Sequence, residues 1–307
     1  MFKLSPDESQ PLKHLRTMHM ATMAKTMTMV ATKGELLILS FCWHPTRADV
    51  LAITTSSGHV HVVYLGSKYD SWTMHSEPLM THSLEAWCVA ISAYPLALGE
   101  PDADVFTIFS GGDDSVLRYR ACTRRSISTA SDGKLTIDGH ALALKGCHDA
   151  GVTAILPLPI REGRAEFVVT GSYDDHIRLL FVPDASIVFT AGATSKLAES
   201  NLGGGVWRLK LVSFNKIPSG DYVWQATILA SCMHGGTKII KLSKTTKDKF
   251  RFTTIGSFTE HKSMNYGSDF QPSRNGALLV VSTSFYDKLL CMWEFEEVKC
   301  VLRESMG

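Results

Sequence analysis

Thr170-Gly171-Ser172-Tyr173-Asp174-Asp175-His176-Ile177-Arg178-Leu179-Leu180-Phe181 reads as strand, tight turn, strand. The run Phe167-Val168-Val169 before it and Ile177 to Phe181 at its end are β-branched, aliphatic and aromatic, and the Gly, Ser and paired Asp between them supply turn chemistry. The same template fits Ser110-Gly111-Gly112-Asp113-Asp114-Ser115-Val116-Leu117-Arg118-Tyr119, and again Thr283-Ser284-Phe285-Tyr286-Asp287-Lys288-Leu289-Leu290-Cys291-Met292-Trp293. In each a turn Asp lies six residues before the residue that closes the strand: Asp113 and Tyr119, Asp174 and Leu180, Asp287 and Trp293. A fixed internal offset at three sites marks a repeat, and a repeat settles architecture before any other feature does.

Working outward, five units are countable from Leu36 onward. The first holds Leu39-Ser-Phe-Cys-Trp-His-Pro45, Val50 to Thr54 and Val60 to Tyr64 about a Ser57-Gly58 turn. The second opens at His82 and runs through Ala86 to Ile91, and the third opens at His148 with Val152 to Ile155. The fourth opens with Gly203-Gly-Gly-Val-Trp-Arg-Leu-Lys-Leu211 and turns at Gly235-Gly236; the fifth opens at His261 and ends at Trp293-Glu294. Successive turns lie 52 to 61 residues apart, longer than the roughly 40 to 45 of a compact WD unit. The surplus falls in connections such as 121 to 146 and 183 to 202.

These units resemble WD-repeat propeller blades, four-stranded sheets arranged around a channel. The resemblance implies a His before the innermost strand bonded to a turn Asp, which pairs His82 with Asp113, His148 with Asp174 and His261 with Asp287. The expected fold class is all-β, a WD-repeat β-propeller with five recognisable blades, incomplete at the N-terminus. Residues 36 to 296 form the propeller, residues 1 to 35 a partial blade or poorly ordered segment, and 297 to 307 a tail. The methionine-rich stretch within the first 35 residues carries no functional weight.

Composition excludes several classes. A net charge of +1 over 307 residues, without a basic stripe interleaved with aromatics, gives no footprint for nucleic acid. No apolar run approaches the roughly 20 residues that span a bilayer, and the polar start Met1 to Pro11 lacks the apolar core of a secretory signal. The expectation is a cytoplasmic protein with neither a membrane nor a nucleic-acid partner. Seven cysteines without framework spacing, most of them in apolar runs such as Phe41-Cys42-Trp43, read as buried free thiols of a reducing compartment.

The wording of the units goes further than the fold. His82-Ser-Leu-Glu85-Ala-Trp87, Ser110-Gly-Gly-Asp-Asp114, Gly171-Ser-Tyr-Asp-Asp-His176, Gly203-Gly-Gly-Val-Trp-Arg-Leu-Lys210, Cys232-Met-His-Gly235, Tyr266-Gly-Ser-Asp269 and Ser284-Phe-Tyr-Asp287 occur in this order. Together they resemble the diphthine methyl ester hydrolase family of diphthamide biosynthesis, over approximately residues 12 to 295. The resemblance implies hydrolysis of the methyl ester of methylated diphthine, the modified histidine of translation elongation factor 2, with elongation factor 2 as partner and no cofactor. The competing reading is a non-catalytic WD-repeat scaffold that binds elongation factor 2 or another protein.

The resemblance carries over no agreed catalytic set, so the site is read from the residues. Aligning the innermost strands puts Trp87, Thr153, Trp207 and Tyr266 in one position, and Tyr173 and Tyr286 each precede a turn Asp. Both classes belong at the channel mouth. One such aromatic alone is ordinary core packing; as a set they suit the trimethylammonium group that the resemblance implies, with Glu85 as a nearby carboxylate or a solvated loop residue. Arg208 stands where equivalent strands carry Cys88, Ala154 and Gly267, which makes it the residue to watch. Lys210 and Asp269 are expected to pair, leaving Arg208 free above them. No Gly-x-Ser-x-Gly elbow is present. His176 and His234 are each a base or a structural histidine, and Cys232-Met-His234 is too small a set for a metal. The candidate catalytic residues are Arg208, His234 and His176; the candidate binding residues are Trp207, Tyr266, Tyr286, Tyr173, Trp87 and Glu85.

Overall fold

The computed structural model describes residues 2–4, 12–14, 36–66, 71–75, 77–92, 103–125, 135–137, 140–163, 165–183, 195–273 and 276–297. All regular structure among them is β. A short hairpin, β1 (Phe2–Leu4) and β2 (Leu12–His14), precedes the repeats. The rest of residues 1 to 35, and the tail beyond 297, lie outside the described residues.

Five sheets follow in chain order. The first contains β3 (Ile38–Trp43), β4 (Val50–Thr55), β5 (His59–Leu65) and β6 (Trp72–Met74), with β7 (Met80–Thr81) also on β5. In the second, β8 (Ala86–Ser92), β9 (Ala103–Gly112), β10 (Leu117–Arg125) and β11 (Leu135–Ile137) are consecutive, and β12 (Leu142–Leu144) also pairs with β10. β13 (Val152–Glu162), β14 (Ala165–Ser172), β15 (His176–Pro183) and β16 (Ser195–Asn201) form the third. β17 (Arg208–Lys216), β18 (Tyr222–Ser231), β19 (Thr237–Thr245) and β20 (Phe250–Phe258) form the fourth. The fifth, β21 (Asn265–Pro272), β22 (Leu278–Ser284) and β23 (Leu289–Phe295), shows three strands among the described residues rather than the expected four. The fold is all-β with five blades of the WD-repeat propeller type.

The chain divides into two compact units, Met1–Val168 with Phe181–Ser195, and Val169–Leu180 with Lys196–Gly307. In the first, Val50, Ala52, Val60 and Val62 pack with Ala86, Val89, Ile91, Phe106 and Ile108. Within β4, β5 and β9, and for Val89 and Ile91 of β8, these are alternate positions on one face, as a period of two requires; Ala86 joins them across the bulge at Trp87. In the second, Leu229, Ile239 and Val280 are buried with Phe270, Trp293 and Phe295 against them. Burial of each such side chain contributes roughly 1.5–3 kcal/mol.

The His–Asp network differs from its sequence reading in one register. His82 Nδ1 lies 2.8 Å from Asp114 Oδ1, not on Asp113, and its Nε2 is 3.0 Å from Ser110 Oγ. Burial holds the imidazole below its ordinary pKa in spite of the Asp114 carboxylate, so Nδ1–H donates to Asp114 and Nε2 accepts from Ser110. The equivalence is set by backbone rather than by counting: Asp114, Asp174 and Asp287 each precede a residue in the left-handed region, Ser115 (φ 59), Asp175 (φ 64) and Lys288 (φ 54). Counted between paired residues, the fifth turn is one residue shorter than the second, so an offset counted from Asp113 takes the wrong carboxylate in the second turn. Leu117 pairs with Gly111 across the second turn, whereas Leu289 pairs with Ser284 across the fifth. In the fifth sheet His261 Nε2 is 2.9 Å from Ser282 Oγ, to which Trp293 Nε1–H donates at 3.2 Å. Asp287 accepts instead from the Lys262 amide at 3.0 Å and from the Ser284 hydroxyl. The expected His261–Asp287 bond is therefore replaced by a His–Ser–Trp relay, with the carboxylate bracing the turn.

Asp174 binds Arg178 at 2.5 Å, and Arg178 also reaches Glu199 at 3.0 Å, which in turn meets Lys196 at 2.8 Å. Arg178 is buried, so two carboxylates compensate a cation that would otherwise be costly to desolvate. Six cysteines are described, all free thiols.

Candidate functional site

In the second unit, the chain before β17 is placed by glycine. A Cβ on Gly204 would fall 2.4 Å from the Cys232 carbonyl oxygen, and one on Gly205 would fall 2.7 Å from Met233 Sδ and 3.4 Å from Tyr173 Cδ1. Only a chain without side chains comes this close to both turns. It thereby carries Trp207 up to Tyr173, with ring centroids 5.5 Å apart. The Val206 amide bonds to the Ser172 carbonyl and the Trp207 amide to the Ser231 carbonyl, 2.9 and 2.8 Å, so the approach is fixed on both sides.

Tyr266 reaches the same place by another device. Asn265 pairs with Ser284 and Gly267 with Thr283, so Tyr266 is the extra residue of a β-bulge, its side chain re-aimed out of the regular alternation. Buried Asn265 holds the bulge, donating to the Thr283 and Gly267 carbonyls at 2.7 and 3.2 Å and accepting from Thr237 Oγ1 at 3.2 Å. Tyr266 meets Trp207 edge-on, 5.2 Å between centroids at 70°. On its other side Phe285 stands 6.0 Å away at 81°, and Tyr286 stands 5.1 Å from Phe285 at 88°. The result is a continuous row, Tyr173, Trp207, Tyr266, Phe285, Tyr286, partly buried at its start and open at its end, where Phe285 and Tyr286 are 65% and 68% exposed. Burial and the neighbouring Tyr286 raise the Tyr266 phenol above its ordinary pKa, so it remains a neutral donor.

Arg208 lies against this row. Its guanidinium carbon is 5.3 Å from the Trp207 ring centre and Nη1 donates to the Trp207 carbonyl at 3.1 Å. Among the described residues no carboxylate forms an ion pair with it. Two residues on, Lys210 pairs with Asp269 at 2.6 Å, as expected from the sequence, and the bond from Lys210 holds the Asp269 carboxyl below its usual range. The negative charge within reach of this strand is thus spent on Lys210, and Arg208 is left on an aromatic face.

The remaining candidates fall elsewhere. His176 Nδ1 is 2.6 Å from the Asp174 carbonyl and its amide bonds Asp174 Oδ1 at 3.0 Å, a turn arrangement. His234 is exposed in the turn between β18 and β19, with no ring contact or hydrogen bond to Trp207, Tyr266 or Tyr286 among the described residues. Trp87 and Glu85 belong to the first unit. There Trp87 is also a bulged residue, between Ala86 on Gly112 and Cys88 on Gly111, and donates from Nε1 to Asp113 at 3.3 Å; Glu85 offers its backbone carbonyl to the Asp113 amide at 2.8 Å. Burial pushes the Cys232 thiol up to about 12, so it is no thiolate near neutral pH. No three His, Cys, Asp or Glu side chains converge as a metal site among the described residues. Sequence reasoning missed Phe285 as the link in the row and Asn265 as the bulge anchor. Phe285 stood in plain view within Ser284-Phe-Tyr-Asp287, one place before the residue chosen.

No family model matches the chain. It is 26% identical to a diphthine methyltransferase homolog of Dictyostelium discoideum over 273 residues, covering 88% of this chain and 65% of the relative. It is also 26% identical to the diphthine methyltransferase of Schizosaccharomyces pombe over 331 residues, covering 94% of this chain and 88% of the relative. The chain is a relative of the diphthine methyltransferases. It spans about two thirds of the Dictyostelium protein's length and most of the fission-yeast protein's. Among solved structures, the WD40 repeats of RRP9 superpose with a TM-score of 0.44 at 12% identity, covering 81% of this chain and 61% of that one. Both diphthine methyltransferase matches extend over most of this chain.

Proposed function

We propose that this diphthine methyltransferase relative acts in diphthamide biosynthesis by hydrolysing the methyl ester of methylated diphthine on translation elongation factor 2. The observation that carries the reading is the row Tyr173, Trp207, Tyr266, Phe285, Tyr286 with Arg208 at its inner end. Aromatic faces attract a quaternary ammonium at roughly 0.5 to 2 kcal/mol per ring. A guanidinium without a carboxylate partner suits the ester carbonyl, where negative charge grows as water adds, and afterwards the carboxylate. In this scheme water attacks the carbonyl carbon, the C–O bond to the methoxy group breaks, and the proton lost by water leaves with methanol. His234, exposed and with its ring unengaged among the described residues, is the residue proposed to relay that proton. His176 is the weaker choice because Nδ1 is already held by the Asp174 carbonyl. Trp87 and Glu85, placed in the first unit, are not needed by this scheme.

The relatives' name speaks of methyl transfer, and the two chemistries leave different products. Purified protein incubated with elongation factor 2 carrying methylated diphthine, without a methyl donor, is expected to release methanol and leave the free carboxylate. Methylation of unmethylated diphthine when a methyl donor is supplied, without methanol release from the ester, would overturn the hydrolase reading. The second reading, a protein-binding scaffold, is favoured by the exposed apolar side chains Phe285, Tyr286, Leu290 and Met292. It predicts binding of elongation factor 2 with no change in its ester.

A further inference from the structure

We infer that Arg208 is a cation already seated on the Trp207 face, so that the site holds a quaternary ammonium most tightly together with a carboxylate that draws the guanidinium away. The inference rests on reading the aromatic row as a cation site, and it adds a rule for what enters. Trp207 is bordered by Tyr173 on one side and by the edge-on Tyr266 on the other, and Arg208 lies 5.3 Å over the ring. A second cation brought to that ring meets the first at contact distance, and like charges so close in a half-buried place repel strongly. The hold on Arg208 among the described residues is light: one hydrogen bond, to the carbonyl of Trp207 itself, and the ring face. Lys210, the neighbouring cation on the strand, is by contrast tied to Asp269 at 2.6 Å. A carboxylate offers Arg208 a bidentate partner better than the carbonyl it gives up, and the vacated face then receives the ammonium.

The ligand class is a betaine, a quaternary ammonium with a carboxylate one carbon away. A bare quaternary ammonium binds against the charge of Arg208, and a betaine methyl ester, whose carbonyl carries no net charge, binds between the two. The hydrolysed product therefore holds the site more tightly than the ester, and the reaction is inhibited by its own product.

Binding is read without catalysis, from the indole N–H resonances of the six tryptophans in the 307-residue chain, that of Trp207 being the one lost in Trp207→Phe. Titrations use tetramethylammonium chloride, glycine betaine and glycine betaine methyl ester. In the wild-type chain glycine betaine is expected to shift the Trp207 resonance at about tenfold lower concentration than tetramethylammonium. In Arg208→Gln, whose folding is verified by unchanged dispersion of the other five indole signals, tetramethylammonium gains and the two ligands come within about twofold. Equal affinities in the wild-type chain, an order unchanged in Arg208→Gln, or a Trp207 signal that none of the three moves would each overturn the inference. Methanol release is independent of these outcomes, so the hydrolase reading stands or falls separately.

Discussion

Arg208 places its guanidinium carbon 5.3 Å from the centre of the Trp207 ring and bonds the Trp207 carbonyl, while its strand neighbour Lys210 takes the Asp269 carboxylate. Two cations two residues apart are thus treated differently, one neutralised by a carboxylate and one left on an aromatic face. The aromatic row and a guanidinium with no carboxylate partner among the described residues make this end of the second unit the place where a cationic ester is expected to react.

Trp207 is the ring that touches most of this arrangement. Trp207→Ala removes contacts to Tyr173, Tyr266 and Arg208 at once and is expected to weaken binding of a trimethylammonium-bearing peptide by about ten- to thirtyfold, near 1.4–2 kcal/mol. Trp207→Phe, which keeps a face, should lose less than half of that energy. Calorimetric titration measures both, and equal affinity in all three proteins would remove Trp207 from the site.

Cys232 sits two residues from His234, an arrangement that invites a thiol nucleophile. Its thiol is buried and raised to about 12, so Cys232→Ala is expected to keep the turnover rate within about twofold while lowering stability by about 1 kcal/mol. Loss of turnover in a folded Cys232→Ala protein, or rapid native labelling of Cys232 by iodoacetamide at pH 8, would contradict this.

Acid sensitivity is expected from His61. Its imidazole is buried in the first sheet, and burial, with His59 beside it, lowers its pKa from 6.5 to about 4. The unfolded chain binds this proton more readily than the folded one, so the stability contribution is complete above pH 6.5 and is lost as pH falls toward 4, amounting to about 3 kcal/mol across that window. Urea midpoints measured from pH 7.5 down to 4.5 should fall in the wild-type chain and flatten in His61→Leu. An unchanged slope in that variant would show that other groups carry the sensitivity.

Arg178 is expected to hold the turn of the third sheet. Arg178→Met leaves the Asp174 carboxylate, only 7% exposed, without its 2.5 Å partner, and removing one member of a buried pair costs about 3–5 kcal/mol. Lys210→Met, which breaks an ion pair exposed at both ends, should cost under about 1 kcal/mol. Denaturant titration of the two variants reads the contrast, and equal losses would contradict it.

The sequence showed the five turns and the aromatic positions because each rests on a local rule. Turn Gly and Asp with alternating apolar strands specify a blade whatever surrounds it, and Trp87 and Tyr266, aligned by sequence, are both bulged residues in their strands. Register was not legible in the same way. Asp113 and Asp114 are chemically identical neighbours, and only the left-handed backbone at Ser115 shows that Asp114 is the partner of His82. Phe285 was passed over because the sequence reading took the residue directly before the turn Asp, Tyr286, and Phe285 lies one place earlier. His234 illustrates a further limit, since Cys232-Met-His234 has the composition of a reactive group while the fold buries the thiol and exposes the imidazole.

Release of methanol from elongation factor 2 bearing methylated diphthine tests the central claim most directly. The wild-type chain is predicted to release one methanol per ester in the absence of any methyl donor, and Arg208→Ala, folded by circular dichroism, to lower the rate at least about a hundredfold. A wild-type chain that binds the factor and leaves its ester intact, or an Arg208→Ala protein with full activity, would contradict the account.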